Sequence, residues 1–93
     1  MGRLSVNRAH VEPYLRTLTP PERRRIRAAL RILATESERK SLDIQQLRTD
    51  TEGPPVFRLR IGNHRVIYSR DGPRIRVHRA FAREDGYGWL ERS

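Results

Sequence analysis

The sequence contains no cysteine, no long apolar run and few aromatic residues, which make up 6% of its 93 positions. Without cysteine the chain can form neither disulfide bonds nor thiolate metal sites, as is usual in reducing compartments. No apolar run approaches the roughly 20 residues of a membrane-spanning helix, and residues 1–4 lack the apolar core of a signal peptide. We therefore expect a cytoplasmic protein without membrane association, and its length predicts one domain over residues 1–93.

Lysine is also nearly absent, although the chain is strongly basic. Lysine and arginine together number 20 against 11 acidic residues, for a net charge of +9, and Lys40 is the single lysine. Such a balance favours a polyanionic partner, either a nucleic acid or an acidic protein. The planar, forked guanidinium group of arginine suits phosphate well.

Several classes of catalytic site are missing from the sequence. Three histidines and no cysteine supply no cluster with metal-ligand spacing and no arguable Ser-His-Asp or Cys-His arrangement. No glycine-rich loop is present that could hold a nucleotide. We therefore expect neither a metal nor an organic cofactor.

The N-terminal third predicts a short strand followed by a helix. Residues 4–6 are short, alternating and apolar enough for a strand, and apolar residues recur at helical spacing from Val11 to Leu18. Pro13 is tolerated only in the first turn of a helix, so the regular helix is expected to start near Val11 or Glu12, or to be kinked.

A second helix is predicted to begin at Pro20. Thr19 precedes Glu22 by three residues, the spacing of a capping box, and an apolar stripe follows. This helix is expected to end between residues 35 and 40. Residues 41–55 then read as a connector, because they finish in loop-forming residues that include two prolines.

From Val56 the apolar period changes to two, which predicts three antiparallel strands. Gly62-Asn63 supplies the first turn and Asp71-Gly72-Pro73 the second. In each strand apolar residues alternate with polar ones, so arginines gather on one face. The predicted class is α+β, a compact domain whose two helices pack on one face of a small, antiparallel, twisted sheet, with the other face free to bind. The predicted strands are residues 56–61, 65–69 and 74–81.

Two runs, "FRLRIGNHRVIY" from Phe57 and "IRVHRAFAREDGY" from Ile75, resemble the RelE/ParE toxin superfamily. The resemblance extends over essentially the whole chain. It implies the toxin of a toxin-antitoxin pair. RelE-type members cut mRNA in the ribosomal A site by using the 2′-hydroxyl of the transcript to attack the adjacent phosphate, whereas ParE-type members share the fold and inhibit DNA gyrase. Fold alone does not decide between these activities, and a non-catalytic nucleic-acid-binding member is a third alternative.

The resemblance also implies a set of catalytic residues. Arg58 and Arg60 match basic positions of the first hairpin strand, Arg65 that of the following strand, Arg83 the C-terminal arginine, and Tyr87 the tyrosine beyond it. On this mapping Arg65 and Arg83 hold the scissile phosphate, Arg58 and Arg60 bind the backbone and the transition state, and Tyr87 transfers a proton or stacks on a base.

Arginine is a poor proton carrier at neutral pH, because its pKa exceeds about 12. Some RelE-type nucleases have lysines where this chain has only arginines. General acid or base catalysis is therefore expected from Tyr87, His64 or His78. RNA contacts are expected from Arg76, His78, His64 and Trp89. For His64 an exposed position beside the turn is the alternative, and for Trp89 the alternatives are a core position or an antitoxin contact.

The expected partners are the ribosome, mRNA and a cognate antitoxin. An acidic antitoxin that is partly disordered when free would complement the +9 chain. It would neutralise the toxin by covering Arg65 and Arg83 or by displacing the C-terminal segment.

Overall fold

The computed structural model describes residues 3–35, 40–49 and 52–83. These residues form two α-helices and five strands. In chain order the elements are β1 (Arg3–Val6), α1 (Arg8–Arg16), α2 (Pro20–Leu33), β2 (Asp43–Leu47), β3 (Val56–Ile61), β4 (His64–Asp71) and β5 (Arg74–Ala82).

The start of α2 confirms the predicted capping box. The Thr19 hydroxyl accepts a hydrogen bond from the Glu22 amide at 3.4 Å, and the Glu22 carboxylate accepts one from the Thr19 amide at 3.0 Å. The Glu22 carboxylate also accepts a hydrogen bond from the Thr19 hydroxyl at 3.1 Å, and the bonds from the Thr19 amide and hydroxyl favour its ionised form and lower the pKa of Glu22 from its ordinary value. The helix ends at Leu33, somewhat before the predicted region, and Ile26, Leu30 and Leu33 are buried on its inner side.

Helix α1 begins at Arg8, earlier than predicted, and contains Pro13 in its second turn. The amides of His10 and Val11 both donate to the Asn7 carbonyl, so the chain becomes helical directly after β1. Pro13 and Ala9, whose carbonyl loses the hydrogen bond that proline cannot donate, are both exposed. Water can satisfy that carbonyl, and the proline is therefore accommodated.

Strand β2 lies within the stretch that the sequence assigned to a connector, so that assignment was wrong for residues 43–47. It runs antiparallel to β3, with Ile44 opposite Leu59 and Asp43 opposite Arg60. Its residues are exposed or half-buried, and only the pairing with β3 makes them a strand. No local pattern of the kind seen in β3 marks it.

The sheet has the order β1-β5-β4-β3-β2. β1 runs parallel to β5 and the remaining pairs are antiparallel, so the sheet is mixed and not purely antiparallel. Both β-hairpin turns have glycine with positive φ at the first central position, Gly62 at 58° and Gly72 at 57°, and no described non-glycine residue has positive φ. This pattern is that of type II′ turns, which suit the twist of the flanking strands.

One core joins both helices to one face of the sheet. It contains apolar side chains of α1 and α2 and the inward residues of β3, β4 and β5, with Leu59, Val66 and Val77 fully buried. The predicted α+β class with helices on one face is confirmed. Within residues 3–35, 40–49 and 52–83, no helix is long and apolar enough to cross a membrane.

Replacing Thr19 with alanine is expected to lower the free energy of unfolding by about 1 kcal/mol, because α2 loses the acceptor of its capping box. Urea unfolding followed by circular dichroism measures this change. Thr49→Ala, at an exposed threonine after β2, is the matched control and should leave the stability unchanged. Equal stabilities of the Thr19→Ala and Thr49→Ala proteins would contradict the capping role.

Candidate functional site

The face of the sheet opposite the helices carries arginines from three adjacent strands. In register, Arg60 lies opposite Arg65, and Ile67 lies between Arg58 on one side and Arg79 on the other. Beyond these, Arg76 lies opposite Ser69. We call this the arginine face, and it comprises Arg58, Arg60, Arg65, Arg74, Arg76 and Arg79.

Asp43 on β2 binds two arginines of this face. Its carboxylate lies 2.8 Å from Arg60 Nε and 3.8 Å from Arg58 Nη2. The Asp43 and Arg60 side chains are about half exposed, at 47% and 54%, so their pairing contributes only about 0–1 kcal/mol. An incoming phosphate could therefore replace the carboxylate at small energetic cost.

Arg58 is less exposed than Arg60 and is incompletely hydrogen-bonded. Its side chain is 20% exposed, and its buried Nε atom has no hydrogen-bond partner among the described residues. A buried donor without an acceptor is costly, most of all when it carries charge. This side chain would gain from an anion that supplied the missing acceptor.

Arg65 is buried and braces the hairpin between β3 and β4. Its Nη1 donates to the Gly62 carbonyl at 2.8 Å and to the His64 carbonyl at 3.0 Å. Arg65 therefore has a structural contact that the sequence did not suggest. The predicted phosphate contact of Arg65 stays a prediction.

His64 lies on the other face of the sheet, away from the arginines. It is opposite Ile61 in register and 7% exposed, with Nδ1 2.6 Å from the Tyr14 hydroxyl and Nε2 3.8 Å from Glu22 Oε1. The expectation of an exposed position beside the turn was wrong, because the helices cover this end of the hairpin. The structure does not bring His64 together with the other predicted site residues.

His78 lies on the arginine face at a β-bulge. Arg79 pairs with Ile67 and Val77 with Tyr68, so His78 is the extra residue of β5. Its Nε2 is 2.8 Å from Ser69 Oγ. Burial, and secondarily the positive charge of Arg76, lower the pKa of His78 from its ordinary value of 6.5, so the imidazole is neutral at pH 7. A neutral imidazole can accept a proton.

Arg83 follows β5 and is exposed. Its amide donates to the Asn63 carbonyl at 2.8 Å, which places Arg83 beside the turn between β3 and β4. Tyr87 and Trp89, the remaining predicted site residues, lie outside the described residues. In the described ranges, no group of three or more histidine or carboxylate side chains could hold a metal ion.

Sequence reasoning missed Asp43 and Arg79 at this site. Asp43 was assigned to a connector, and only its non-local pairing with β3 reveals it. Strict alternation put Arg74, Arg76 and His78 on one face, but the bulge at His78 resets the alternation and adds Arg79. A bulge of this kind leaves no distinctive residue pattern in the sequence.

Two solved archaeal structures have the same fold. The RelE–RelB complex from Pyrococcus horikoshii OT3 matches with a TM-score of 0.74 and 26% identity over 91% of this chain and 98% of that chain. The RelB–RelE antitoxin-toxin complex from Methanococcus jannaschii matches with a TM-score of 0.68 and 20% identity over 91% and 96%. No protein-family model matches the chain, and the comparison with curated proteins gives no significant match. The predicted RelE-like fold is confirmed.

The carboxylate of Asp43 should compete with phosphate for Arg58 and Arg60. We expect Asp43→Asn to raise the affinity for a short single-stranded oligonucleotide and to steepen the plot of log affinity against log salt concentration by about 0.7 for each additional phosphate that the protein neutralises. Fluorescence anisotropy at several salt concentrations measures both quantities.

Glu12→Gln is the matched control, because it removes the same charge from a carboxylate that also pairs with two arginines, Arg8 and Arg16, but lies on α1. The Glu12→Gln protein should bind nearly as the wild type does. Equal changes in oligonucleotide affinity in the two variants would mean that the net charge of the protein controls binding, and not the pairing of Asp43 with Arg58 and Arg60.

Proposed function

We propose that the protein is the toxin of a toxin-antitoxin pair and cuts mRNA in the ribosomal A site, acting in the cytoplasm. The observation that carries the proposal is the arginine face, which lies on the side of the sheet opposite the two described helices in a RelE-like fold. Its guanidinium groups suit the phosphates of a single RNA strand, and its sheet supplies the rigid support that a precise site needs.

The proposed reaction is an internal phosphoryl transfer. The 2′-oxygen of the transcript attacks the adjacent phosphorus, the bond from phosphorus to the 5′-oxygen breaks, and a 2′,3′-cyclic phosphate and a 5′-hydroxyl end result. The step needs cations for the charge that builds up on the phosphate oxygens, a base for the 2′-hydroxyl proton and an acid for the leaving 5′-oxygen.

Arg58, Arg60 and Arg83 are the proposed phosphate ligands. Arg60 is half exposed, Arg83 is exposed, and Arg58 has a buried donor without an acceptor. Charged donors that are held in place before the reaction stabilise the transition state more than mobile ones do. Arg65 would contribute indirectly, because its hydrogen bonds to the Gly62 and His64 carbonyls hold the hairpin that carries Arg60 in place.

His78 is the proposed base. Its lowered pKa keeps the imidazole neutral at pH 7, and it lies on the same face of the sheet as Arg58 and Arg60. Arginine cannot accept this proton, and His64 lies on the opposite face. Tyr87 is retained as the proposed acid, on the resemblance alone.

The proposed partner is an acidic antitoxin that covers the arginine face. Both matched structures are complexes of RelE with RelB. Such a partner would end RNA binding by occupying Arg83 and the neighbouring arginines or by displacing the segment that follows β5. Its carboxylates would meet the same guanidinium groups that the RNA phosphates need.

Incubation of the purified protein with a defined mRNA, with and without programmed ribosomes, tests the activity. We expect new 5′ ends only with ribosomes, and a loss of about 10²-fold or more in rate for Arg60→Ala and Arg83→Ala, because each removes a charged donor from the phosphate. Arg24→Ala, at an exposed arginine on α2, is the control and should cut normally.

Intact mRNA in every reaction of a folded protein would contradict the nuclease proposal. A gyrase supercoiling assay would then test the ParE-type alternative.

The pH dependence of cleavage tests the base. The rate should fall as the pH falls through the lowered pKa of His78, since protonation below 6.5 removes the acceptor, and should be level near pH 7. His78→Gln should be slower by about 10²-fold or more and should lose this dependence. His10→Gln, at an exposed histidine of α1, is the control. The same acidic limb in the His78→Gln protein would contradict the assignment.

A further inference from the structure

The turn that joins β3 to β4 holds two arginines through three successive carbonyls. Arg65 Nη1 donates to the carbonyls of Gly62 and His64 at 2.8 and 3.0 Å, and the Arg83 amide donates to the Asn63 carbonyl between them at 2.8 Å. Arg83 follows the end of β5, so its bond to Asn63 holds the chain where it leaves the sheet. The position of Arg83 therefore depends on the position of this turn.

Groups of both helices anchor the same turn through His64. From α1, the Tyr14 hydroxyl lies 2.6 Å from His64 Nδ1, and the two rings meet edge to face with their centroids 5.8 Å apart. From α2, the Glu22 carboxylate lies 3.8 Å from His64 Nε2. The carboxylate favours a proton on Nε2, and this tautomer leaves Nδ1 to accept the hydrogen bond of the Tyr14 hydroxyl.

Burial and close packing make this anchor firm. His64 is 7% exposed, and a buried ring nitrogen that lost the Tyr14 hydroxyl would be left without a replacement from bulk water, which is costly. Helix α2 also covers the turn directly. A Cβ atom at Gly62 would lie 3.0 Å from Nη1 of Arg25, so the guanidinium group rests against the turn backbone from the helix side.

We propose that His64 is a positioning residue, which fixes Arg83 at the proposed site and, through Arg65, the hairpin that carries Arg60. It lies on the opposite face of the sheet from Arg65 and acts through the backbone. The helices hold the imidazole, the imidazole holds the turn, and the turn carbonyls hold the two arginines. The inference rests on the proposed function, because it takes Arg83 as a ligand of the scissile phosphate.

The placement of Arg83 matters because stabilisation of a phosphate depends on short distances. Displacement of a catalytic group by about 1 Å can slow a reaction by on the order of 10²-fold. Arg83 lies beyond β5, where a chain is less restrained than inside a sheet. An anchored turn at this point supplies the rigid support that the strand no longer provides.

Amide hydrogen exchange measured by NMR on the full chain, without RNA, tests the anchor. Tyr14→Phe removes the hydroxyl that holds His64 and keeps the aromatic ring. We expect the Arg83 amide of this variant to exchange about three- to tenfold faster relative to the slowest amides of the sheet, which report global unfolding.

Ile75→Val is the matched control, because it removes one methyl group from a buried residue at the other end of β5 and destabilises the fold without touching the turn. Its relative exchange rate at Arg83 should equal that of the wild type. An unchanged relative rate in the Tyr14→Phe protein, or an equal increase in the Ile75→Val protein, would overturn the proposal.

The ribosome cleavage assay separates positioning from RNA binding. Tyr14→Phe and His64→Leu should lower the rate at saturating protein by about tenfold and change the protein concentration at half-maximal rate by less than about twofold, because a displaced Arg83 weakens the transition state more than the bound RNA. His64→Asn, whose amide can take the place of Nδ1 beside Tyr14, should recover most of the rate.

Equal losses in the His64→Leu and His64→Asn proteins, or a change confined to the half-maximal concentration, would overturn the positioning role. A wild-type protein that cuts no RNA would contradict the proposed function instead. In that case the exchange rates, which need no RNA, still decide whether His64 holds Arg83.

Discussion

The two described helices pack on the same face of a five-stranded sheet, and the remaining structure depends on this arrangement. The strands direct apolar side chains toward the helices, and the alternate positions on the opposite face carry the arginines together with the buried Ile67. Leu59 and Ile61 are buried for this reason, and Arg60 between them and Arg58 beside them lie on the opposite face. The apolar pattern that holds the sheet to the helices thereby also fixes the spacing of the arginines.

The arginines of this face repel one another, which destabilises the folded state. Nearby acceptor groups offset part of this repulsion. Asp43 neutralises some of the charge of Arg58 and Arg60, and Arg65 directs Nη1 into the carbonyls of its own hairpin. The offset is incomplete, since Arg58 Nε keeps no acceptor in the described part of the chain. Binding sites often contain polar groups that lack a hydrogen-bond partner within the protein, because the ligand supplies that partner.

The sequence predicted those parts of the fold that local patterns determine. The capping box at Thr19, the period of two in β3 and the glycine turns all act within a few residues, and each was found where predicted. Strand β2 was missed because its pairing with β3 makes it a strand. The start of α1 was predicted too late because proline was assumed to be tolerated only in the first turn of a helix. Pro13 lies in the second turn, on an exposed side of the helix.

The site was predictable to a similar degree. Arg58, Arg60 and Arg76 share the face that alternation assigned to them, whereas a bulge added Arg79 and the helices removed His64. His64 and Arg65 are neighbours in sequence, yet one lies under the helices against Tyr14 and the other lies on the open face. A pattern of residue types cannot show which of two adjacent polar residues a helix will cover.

The parallel pairing of β1 with β5 has a consequence for the order of folding. The first strand of the described chain pairs with the last, so the cost of closing almost the whole chain into a loop must be met before this contact forms. During synthesis, β1 and the two helices emerge long before β5 exists. The complete arginine face, which includes Arg74, Arg76 and Arg79, therefore assembles only after residues 74–82 have emerged, so a nascent chain does not display it.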